Sequence, residues 1–313
     1  MRFSVVIPTY NESQDIRDTI LALLKLRDYD YEIIIVDDST DDTPDIIRRF
    51  DDHKINLIRP AVREGRCGAR NIGIMASRGD VVIVLNADVR LPHDFLSRVA
   101  IHYKAGYDYV LVKAQVLNVE DLFARYVDAI AQYVEGGDPN WMEWTEGFSC
   151  RRNLAIEAGL FPTGYAIPIC AGEDGFFGSN LRKLGANKKI DFQIVIGHIA
   201  PSSFREYWTI RKGRGKGCPQ VRFFLENWSL IKIIAWATLR IIKNISLIIT
   251  FFPAVIIISR ATKKSYKRGW DFIPFLYAWL IEQLAFHVGE WGSIFEISKI
   301  NISNKIKTKA TLE

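Results

Sequence analysis

The chain has 313 residues, of which 49% are hydrophobic and 25% charged, and its formal net charge is +5. This composition is ordinary for a folded protein of one or two domains and argues against a disordered chain. No CxxC pair occurs, which disfavours a zinc site and a disulfide framework, and no nucleic-acid-binding motif accompanies the basic clusters, so we expect no nucleic-acid partner.

The first part of the chain alternates strand and helix patterns. Apolar runs at 2–7, 32–36, 55–58 and 81–85 predict short buried strands. Helical spacing follows the first run, a capping sequence starts a second helix near Pro44, and a glycine-bearing loop over 63–73 is expected to lead into a third helix over 72–77. Repeated strand–helix units predict an α/β fold with a doubly wound, mostly parallel sheet.

Polar segments follow three of these strands, at 8–12, 37–39 and 86–88. In open α/β sheets ligands bind beyond the carboxyl ends of the strands, so these segments predict one ligand-binding edge. The first strand is followed by no GxGxxG, and the chain contains no GxxxxGK[ST], which disfavours a nicotinamide-binding Rossmann domain and a P-loop NTPase. The absence of a glycine-rich loop after the first strand also disfavours a sugar nucleotidyltransferase.

An ordered set of motifs resembles glycosyltransferase family 2. The matching blocks are VVIPTYNE at 5–12, VDDSTD at 36–41, GARNIG at 68–73, LNAD at 85–88 and GED at 172–174. Their combination is far more specific than any single short motif. The resemblance implies the Rossmann-like GT-A fold and an inverting transfer of sugar from a nucleotide-diphosphate sugar.

The resemblance also implies a donor-binding site, which it assigns to Pro8, Thr9, Tyr10, Glu12, Asp38, Arg70, Asn86 and Asp88. Asp38 is expected to accept hydrogen bonds from the base, although the block that contains Asp37 and Asp38, taken alone, favours a helix N-cap. Asn86-Ala87-Asp88 occupies the family's DxD position, where the final Asp binds a divalent metal, Mn²⁺ or Mg²⁺. Asn86 keeps an acceptor oxygen but removes one charge.

Two further positions resemble family features. His198, after a strand-like run, is similar to the histidine that completes the metal coordination in some GT-A enzymes, and a structural histidine is the alternative. Glu173-Asp174 resembles the family's ED motif, in which the Asp is the general base for the acceptor hydroxyl. A helix beginning here would favour the ionised carboxylate through its dipole.

The chain offers candidate groups for the phosphates and for the acceptor as well. Arg211 and Arg214 lie among glycines 213, 215 and 217, and we predict a mobile loop that closes over the donor and stabilises the departing diphosphate. Trp141 and Trp144 are expected to form a platform for the acceptor, with ordinary core packing as the alternative.

The final third is strongly apolar. Residues 222–243 predict an amphipathic helix with basic residues and tryptophans, residues 245–259 an apolar stretch broken by Pro253, and residues 272–295 a second long apolar segment. A crossing hairpin would place the basic residues of 260–268 outside the cell, against the positive-inside tendency. We therefore expect interfacial or re-entrant helices, with transmembrane crossing and a soluble helical subdomain as alternatives.

Together these patterns predict a catalytic domain at 1–218 and a membrane-associated helical region at 219–313. The expected enzyme transfers sugar to a hydroxyl of a lipid-linked or glycan acceptor, in contact with membrane lipids. Because the chain shows no signal-peptide pattern and no paired cysteines, we place it on the cytoplasmic face of the membrane. The alternatives are a polyprenyl-phosphate glycosyl synthase and, below it, a non-catalytic membrane scaffold with the same fold.

Overall fold

The computed structural model describes residues 1–135, 146–250 and 252–300. The chain divides into two compact units that interleave along the sequence. The first unit comprises Met1–Leu117, Asn140–Pro162 and Asp174–Ile199, and the second comprises Asn118–Pro139, Thr163–Glu173 and Ala200–Glu313. The functional boundary that the sequence places at 218 stays a prediction.

The first unit is a sheet covered by helices. Its strands are β1 Phe3–Thr9, β2 Tyr31–Asp37, β3 Ile55–Ile58, β4 Val81–Val84, β5 Val89–Arg90, β6 Tyr109–Val116, β7 Phe148–Arg151 and β8 Lys188–His198. Its helices are α1 Ile16–Leu23, α2 Thr43–Arg48, α3 Gly65–Ala76, α4 Phe95–Lys104, α6 Arg152–Glu157 and α7 Glu173–Lys183, which begins at the last residue assigned to the second unit. The second unit contains the remaining helices α5 Leu122–Glu135, α8 Phe204–Gln220, α9 Leu230–Thr250, α10 Phe252–Thr262 and α11 Phe272–Ser298.

The strands lie in the order β3-β2-β1-β4-β7-β6-β8-β5. Strands β3, β2, β1 and β4 are parallel, as expected, and β7 inserts antiparallel between β4 and β6. The predicted α/β architecture is confirmed, with a mixed sheet in which β6 and β8 are parallel and β5 pairs antiparallel with β8. The antiparallel insertion has a consequence for the site, because it brings the start of β7 beside the end of β4.

Both faces of the sheet are buried. Along β1, Val5 and Ile7 pack into one apolar cluster with α1 and α4, while Val6 packs into the opposite cluster with α3 and α6. Successive side chains on a strand point to opposite faces, so a sheet covered on both sides requires an uninterrupted apolar run. This explains why the strands carry continuous β-branched sequences.

The expected loop over 63–73 is wrong, because α3 already begins at Gly65. The helix packs directly on the sheet, and a Cβ at Gly73 would stand only 2.3 Å from Cγ1 of Val6. Glycine is therefore required here for close helix–strand approach rather than for a flexible turn. The glycines of this stretch resemble the composition of a loop, but they lie in α3, and Gly73 allows that helix to pack against β1.

The expected mobile glycine loop over 211–217 is also wrong. These residues lie inside α8, which Ser203 caps in a capping box with Glu206. A Cβ at Gly215 would stand 2.0 Å from the carbonyl oxygen of Phe286, and one at Gly289 would stand 2.0 Å from that of Lys212. The glycines thus allow α8 and α11 to cross at backbone contact.

Ion pairs join helices of the second unit. The carboxylate of Glu282 on α11 lies 3.1 Å from the guanidinium of Arg211 on α8, and that of Glu290 on α11 lies 3.0 Å from that of Arg240 on α9. Glu290 is almost fully buried. Of the described helices, one segment, Arg268–Ser298, has the length and mean hydropathy (1.2 over its best window) to cross a membrane, judged by length and composition alone.

The predicted amphipathic helix over 222–243 starts later than expected, at Leu230. Residues Val221–Leu225 form a wide π-helical turn that continues α8, and Asn227 then takes a left-handed conformation with φ of 55°. Asparagine tolerates this conformation, which ends the preceding helix and redirects the chain. The structure describes helix up to Thr250 and again from Phe252, and the expected break near Pro253 stays a prediction.

Candidate active site

The loops after β1 and β2 are tied together by hydrogen bonds. The Asn11 amide donates to the Ser39 hydroxyl at 2.8 Å, and the Thr40 amide donates to the Asn11 side-chain oxygen at 3.0 Å. The Glu12 amide donates to Thr43 at 2.9 Å. These bonds hold the two predicted ligand-binding segments in one fixed arrangement at the carboxyl edge of the sheet.

Asp37, at the end of β2, has a structural position. Its carboxylate is completely buried, accepts from the Thr9 hydroxyl at 2.8 Å and pairs with Arg59 at 3.1 Å. Thr9 therefore uses its hydroxyl within the protein, and its predicted contact with the donor stays a prediction. A buried carboxylate with such partners fixes the loop that carries the next residue, Asp38.

Asp38 caps a helix with one carboxylate oxygen, and its predicted contact with the base stays a prediction. Its Oδ2 accepts from the amides of Glu64 and Gly65, at 3.1 and 2.8 Å, and so caps the start of α3. Its Oδ1 is buried and has no hydrogen-bond partner within the described part of the chain. A buried acceptor without a partner is costly, so this oxygen suits a ligand N–H such as that of a nucleobase ring.

A planar surface lies on the loop after β1, directly after Thr9, whose carbonyl oxygen accepts from the Asp38 amide at 3.0 Å. The exposed ring of Tyr10 carries the guanidinium of Arg63 stacked at 3.7 Å from its centroid. Such a stacked pair offers a flat, cationic surface of the kind that aromatic bases bind. Tyr10 was predicted as a donor-binding residue, whereas Arg63 was not.

Asn86 follows β4 and is held from two sides. Its side-chain oxygen accepts from Arg70 at 3.3 Å, and its side-chain amide donates to Glu146 at 2.8 Å. Arg70 itself is buried against the ring of Phe161. The structure thus brings together the two predicted residues Arg70 and Asn86 and adds Glu146, which the sequence did not predict.

Asp88 and His198 also meet. The pairing of β5 with β8 places Val89 opposite His198, so that Nε2 of His198 lies 3.4 Å from Oδ2 of Asp88. The other oxygen, Oδ1 of Asp88, is buried and lacks a hydrogen-bond partner among the residues described. An imidazole and a carboxylate with an unused oxygen are suitable ligands for a divalent cation.

Negative charge accumulates around Asp88. Burial, followed by the charges of Asp88 and Asp15, raises the pKa of Glu12 to about 7. Burial likewise raises the pKa of Glu146, with His198 opposing the shift and Asp88 adding to it. Carboxylates that raise one another's pKa values are stabilised by a nearby cation.

Asp88 and His198 fit a divalent cation as a pair of protein ligands. Because the described residues contain no group of three or more His, Cys, Asp or Glu side chains arranged to hold a metal, the protein would supply only these two ligands. The remaining coordination positions would be open to phosphate and water oxygens, which hard cations prefer.

The predicted catalytic pair lies at the start of α7. Glu173 is buried and Asp174 is half-buried, and the amide of Gly175 donates to Asp174 at 2.7 Å. The predicted helix is confirmed, and its N-terminus favours an ionised carboxylate. The role of Asp174 as a base stays a prediction.

The remaining predicted residues lie elsewhere. Arg211 is buried in the second unit, paired with Glu282, and Arg214 is exposed on the same helix. Their binding of diphosphate stays a prediction, now without the mobile loop that motivated it. Trp141 and Trp144 lie outside the described residues, as do the contacts expected of them. Pro8 lies near the end of β1, just before the loop that carries Tyr10.

Comparison with known families agrees with this geometry. The sequence profile described as "Glycosyl transferase family 2" matches residues 4–167, which is more than half of the chain. The chain belongs to glycosyltransferase family 2. The matched range contains the loops after β1 and β2, the DxD-like segment and Glu146, but it ends before Asp174 and His198.

Two curated relatives of this family member are similar to it over about a third of the chain. The amylovoran biosynthesis glycosyltransferase AmsB of Erwinia amylovora is 38% identical over 28% of this chain and 30% of its own length. An undecaprenyl-phosphate 4-deoxy-4-formamido-L-arabinose transferase of Pseudomonas syringae is 33% identical over 34% of each chain. The chain therefore spans about a third of the length of these relatives.

Solved structures resemble the family member over almost its whole length. S. aureus TarS 1-349 in complex with UDP-GlcNAc is 14% identical, with a TM-score of 0.54 over 95% of this chain and 92% of that one. The mannosyltransferase PcManGT of Pyrobaculum calidifontis, in complex with GDP-Man and Mn²⁺, is 20% identical, with a TM-score of 0.52 over 96% and 76%. At these identities the likeness establishes the fold alone, and it confirms the predicted GT-A fold.

Glu146 and Arg63 were missed because their neighbours in sequence carry no motif. Strand register is the one feature that could have identified Glu146. In the antiparallel pair of β4 and β7, Val84 lies opposite Phe148, and continuing that register by two residues places Asn86 opposite Glu146. The signal requires knowing that β7 pairs with β4, which sequence spacing does not reveal.

Proposed function

We propose that this protein is an inverting, metal-dependent glycosyltransferase that moves a sugar from a nucleotide-diphosphate sugar to a hydroxyl of a lipid-linked or glycan acceptor. The observation that carries the proposal is the edge formed by Asp38 and Asp88. Each presents a buried carboxylate oxygen that has no hydrogen-bond partner within the described residues. One suits a base N–H and the other a cation at the diphosphate.

The residues of the chain divide the chemistry among them. Asp38 and the Tyr10–Arg63 stack would orient the base, while Asp88 and His198 would hold the metal. When bound, the metal supplies positive charge to the departing diphosphate. Asp174 would accept the proton of the acceptor hydroxyl as its oxygen attacks the anomeric carbon opposite the leaving group. The neighbouring Glu173 is buried and would support the start of α7.

The donor is consistent with what related proteins bind. TarS is solved with UDP-GlcNAc and PcManGT with GDP-Man and Mn²⁺. A screen of UDP-, GDP- and dTDP-sugars, with and without Mn²⁺, tests the proposal by hydrolysis and by thermal stabilisation. We expect one donor class to respond in a Mn²⁺-dependent manner, and Asp88→Ala to lose the response. A wild-type chain that responds to no donor would overturn the proposed activity.

A polyprenyl-phosphate acceptor is the second candidate. The Pseudomonas syringae relative is named for transfer to undecaprenyl phosphate. A phosphate nucleophile is already anionic and needs no base, whereas a sugar hydroxyl does. Transfer assays with Asp174→Asn separate the two: loss of at least about a hundredfold in turnover supports a hydroxyl acceptor, and near-normal turnover supports a phosphate.

We also propose that the second unit rests on the cytoplasmic face of a membrane. Large apolar side chains are exposed on α9 and near α11, including Ile231 at 81% and Trp270 at 87% exposed. Lys232 and Arg222 stack on Trp228 at 3.8 and 4.8 Å. Basic groups beside tryptophan are typical of interfacial helices on anionic lipid.

Sedimentation with vesicles of phosphatidylglycerol and phosphatidylcholine tests this membrane contact. We expect wild type to sediment with the vesicles and the double variant Ile231→Glu with Trp270→Ala to remain largely in solution. The matched control is Ile101→Glu, which changes an exposed isoleucine on α4 of the first unit and should sediment like wild type. Wild type that stays in solution contradicts the membrane proposal but not the proposed chemistry.

A further inference from the structure

Asn86 is the one position at which the metal-binding motif lacks a charge, and Glu146 is the residue bonded to it. The side-chain amide of Asn86 donates to Oε2 of Glu146 at 2.8 Å. The antiparallel pairing of β4 with β7 makes this contact a consequence of register, since Val84 faces Phe148. The carboxylate of Glu146 therefore lies directly behind the DxD-like segment.

The hydrogen bonds also fix which way the Asn86 amide points. The guanidinium of Arg70 can only donate, so the side-chain oxygen of Asn86 must face Arg70, which donates to it at 3.3 Å. The NH₂ group of Asn86 then faces Glu146. The two hydrogen bonds, to Glu146 and from Arg70, therefore fix the orientation of the Asn86 side chain beside Asp88.

We propose that Glu146 provides the second negative charge of the metal–diphosphate site, in place of the carboxylate that Asn86 lacks, and positions Asn86 through their hydrogen bond. The inference rests on the proposed function, because it assigns a role toward the same cation. Glu146 is a positioning residue, acting through Asn86 and through its charge near Asp88. Partners of this kind typically alter metal affinity by roughly 10- to 100-fold.

The pair offers an exchange that separates charge from hydrogen bonding. Glu146→Gln keeps an acceptor oxygen for the Asn86 amide but removes the charge. Asn86→Asp alone places two carboxylates at hydrogen-bond distance, which disfavours having both ionised. Combining Asn86→Asp with Glu146→Gln reverses the donor and the acceptor and restores both the hydrogen bond and one negative charge.

The experiment measures free Mn²⁺ by electron paramagnetic resonance while each protein is titrated with Mn²⁺ in the presence of UDP, GDP or dTDP. We expect Glu146→Gln to weaken nucleotide-dependent Mn²⁺ binding about tenfold or more, and Asn86→Asp to weaken it as well. The exchanged double variant should return to within about threefold of wild type, a recovery larger than additive effects allow. Glu157→Gln, which removes an exposed carboxylate on α6, controls for net charge and should bind like wild type.

Thermal melting of each variant, without metal, checks that folding is retained. If Glu146→Gln binds Mn²⁺ as wild type does, or if the folded double variant fails to recover, the role of Glu146 is refuted while the proposed function stands. If wild type binds no Mn²⁺ with any of the nucleotides, the proposed function itself fails and this inference fails with it.

Discussion

The crossing of α8 and α11 gives the sharpest stability prediction, because two glycines there stand against backbone. We consider Gly215→Ala in α8. The added Cβ would lie 2.0 Å from the carbonyl oxygen of Phe286, whereas ordinary contacts begin near 3.4 Å. The atoms nearest the added Cβ all belong to the backbone of Phe286 and not to a flexible side chain, so α8 and α11 themselves must separate by more than about 1 Å. The ion pair between the buried Arg211 and the half-buried Glu282 would be stretched by the same movement.

The magnitude follows from two opposing effects. Overpacking a well-packed site costs about 1–3 kcal/mol, and contact with backbone belongs at the upper end. Alanine is better than glycine within a helix by about 1 kcal/mol. Gly215→Ala should therefore lower the free energy of unfolding by about 1–2 kcal/mol. Gly213→Ala, two residues away, meets no atom of the described residues within 4 Å and should instead raise it by up to about 1 kcal/mol.

The assay is urea denaturation of the two variants and wild type, followed by circular dichroism of the helical signal. The opposite signs are the test, since both variants make the same chemical change in one helix. A second matched pair lies on α11, where Gly289→Ala should destabilise and Gly292→Ala should not. Equal effects of Gly213→Ala and Gly215→Ala would refute the close crossing of these helices.

The other predictions concern the site and the pH dependence of folding. Asp88→Ala should abolish Mn²⁺-dependent turnover while Asn86→Ala mainly raises KM for the donor, and equal effects in steady-state kinetics would mean that their roles are divided wrongly. Asp38→Asn should keep its cap on α3 but weaken nucleotide binding by calorimetry about tenfold, because an amide NH₂ can face the base N–H; unchanged affinity would exclude base recognition. Partial burial raises the pKa of Asp191, but hydrogen bonds from His102 and the Gln193 amide outweigh it, and the net pKa is lowered. Its stabilising effect is present above the ordinary aspartate pKa and lost as pH falls through the lowered value, so the gap in urea midpoint between wild type and Asp191→Asn should narrow from pH 7 to pH 3; a constant gap would contradict this assignment.

Much of the fold followed from local pattern. The runs that became β1, β2, β3 and β4 were recognisable because a strand buried on both faces must be apolar without interruption. The polar residues at their ends, including Asp38 and Asp88, were recognisable because chain direction fixes which edge of a parallel sheet they reach. These features depend on neighbours in sequence, so the sequence alone determined them.

Glycines misled the sequence interpretation in the same way twice. The composition of 63–73 and of 211–217 predicted loops, whereas both stretches lie mostly or wholly in helices, α3 and α8, where Gly73 and Gly215 allow close approach to a neighbouring element. A glycine required by backbone flexibility and one required by a neighbouring element look identical in a sequence. The distinction depends on what lies opposite, which is a tertiary property.

At the candidate site, too, the sequence determined the local motif, whereas the contacts of that motif depend on tertiary structure. The sequence by itself determined the motif Asn86-Ala87-Asp88 and the missing charge at its first position. Only the tertiary structure decided what compensates for that charge, because Glu146 reaches Asn86 through an antiparallel strand that enters the sheet some 60 residues later in the chain. Local chemistry is written in adjacent residues, but the partner of a side chain across a sheet is set by strand order and register, which emerge only when the whole chain has packed.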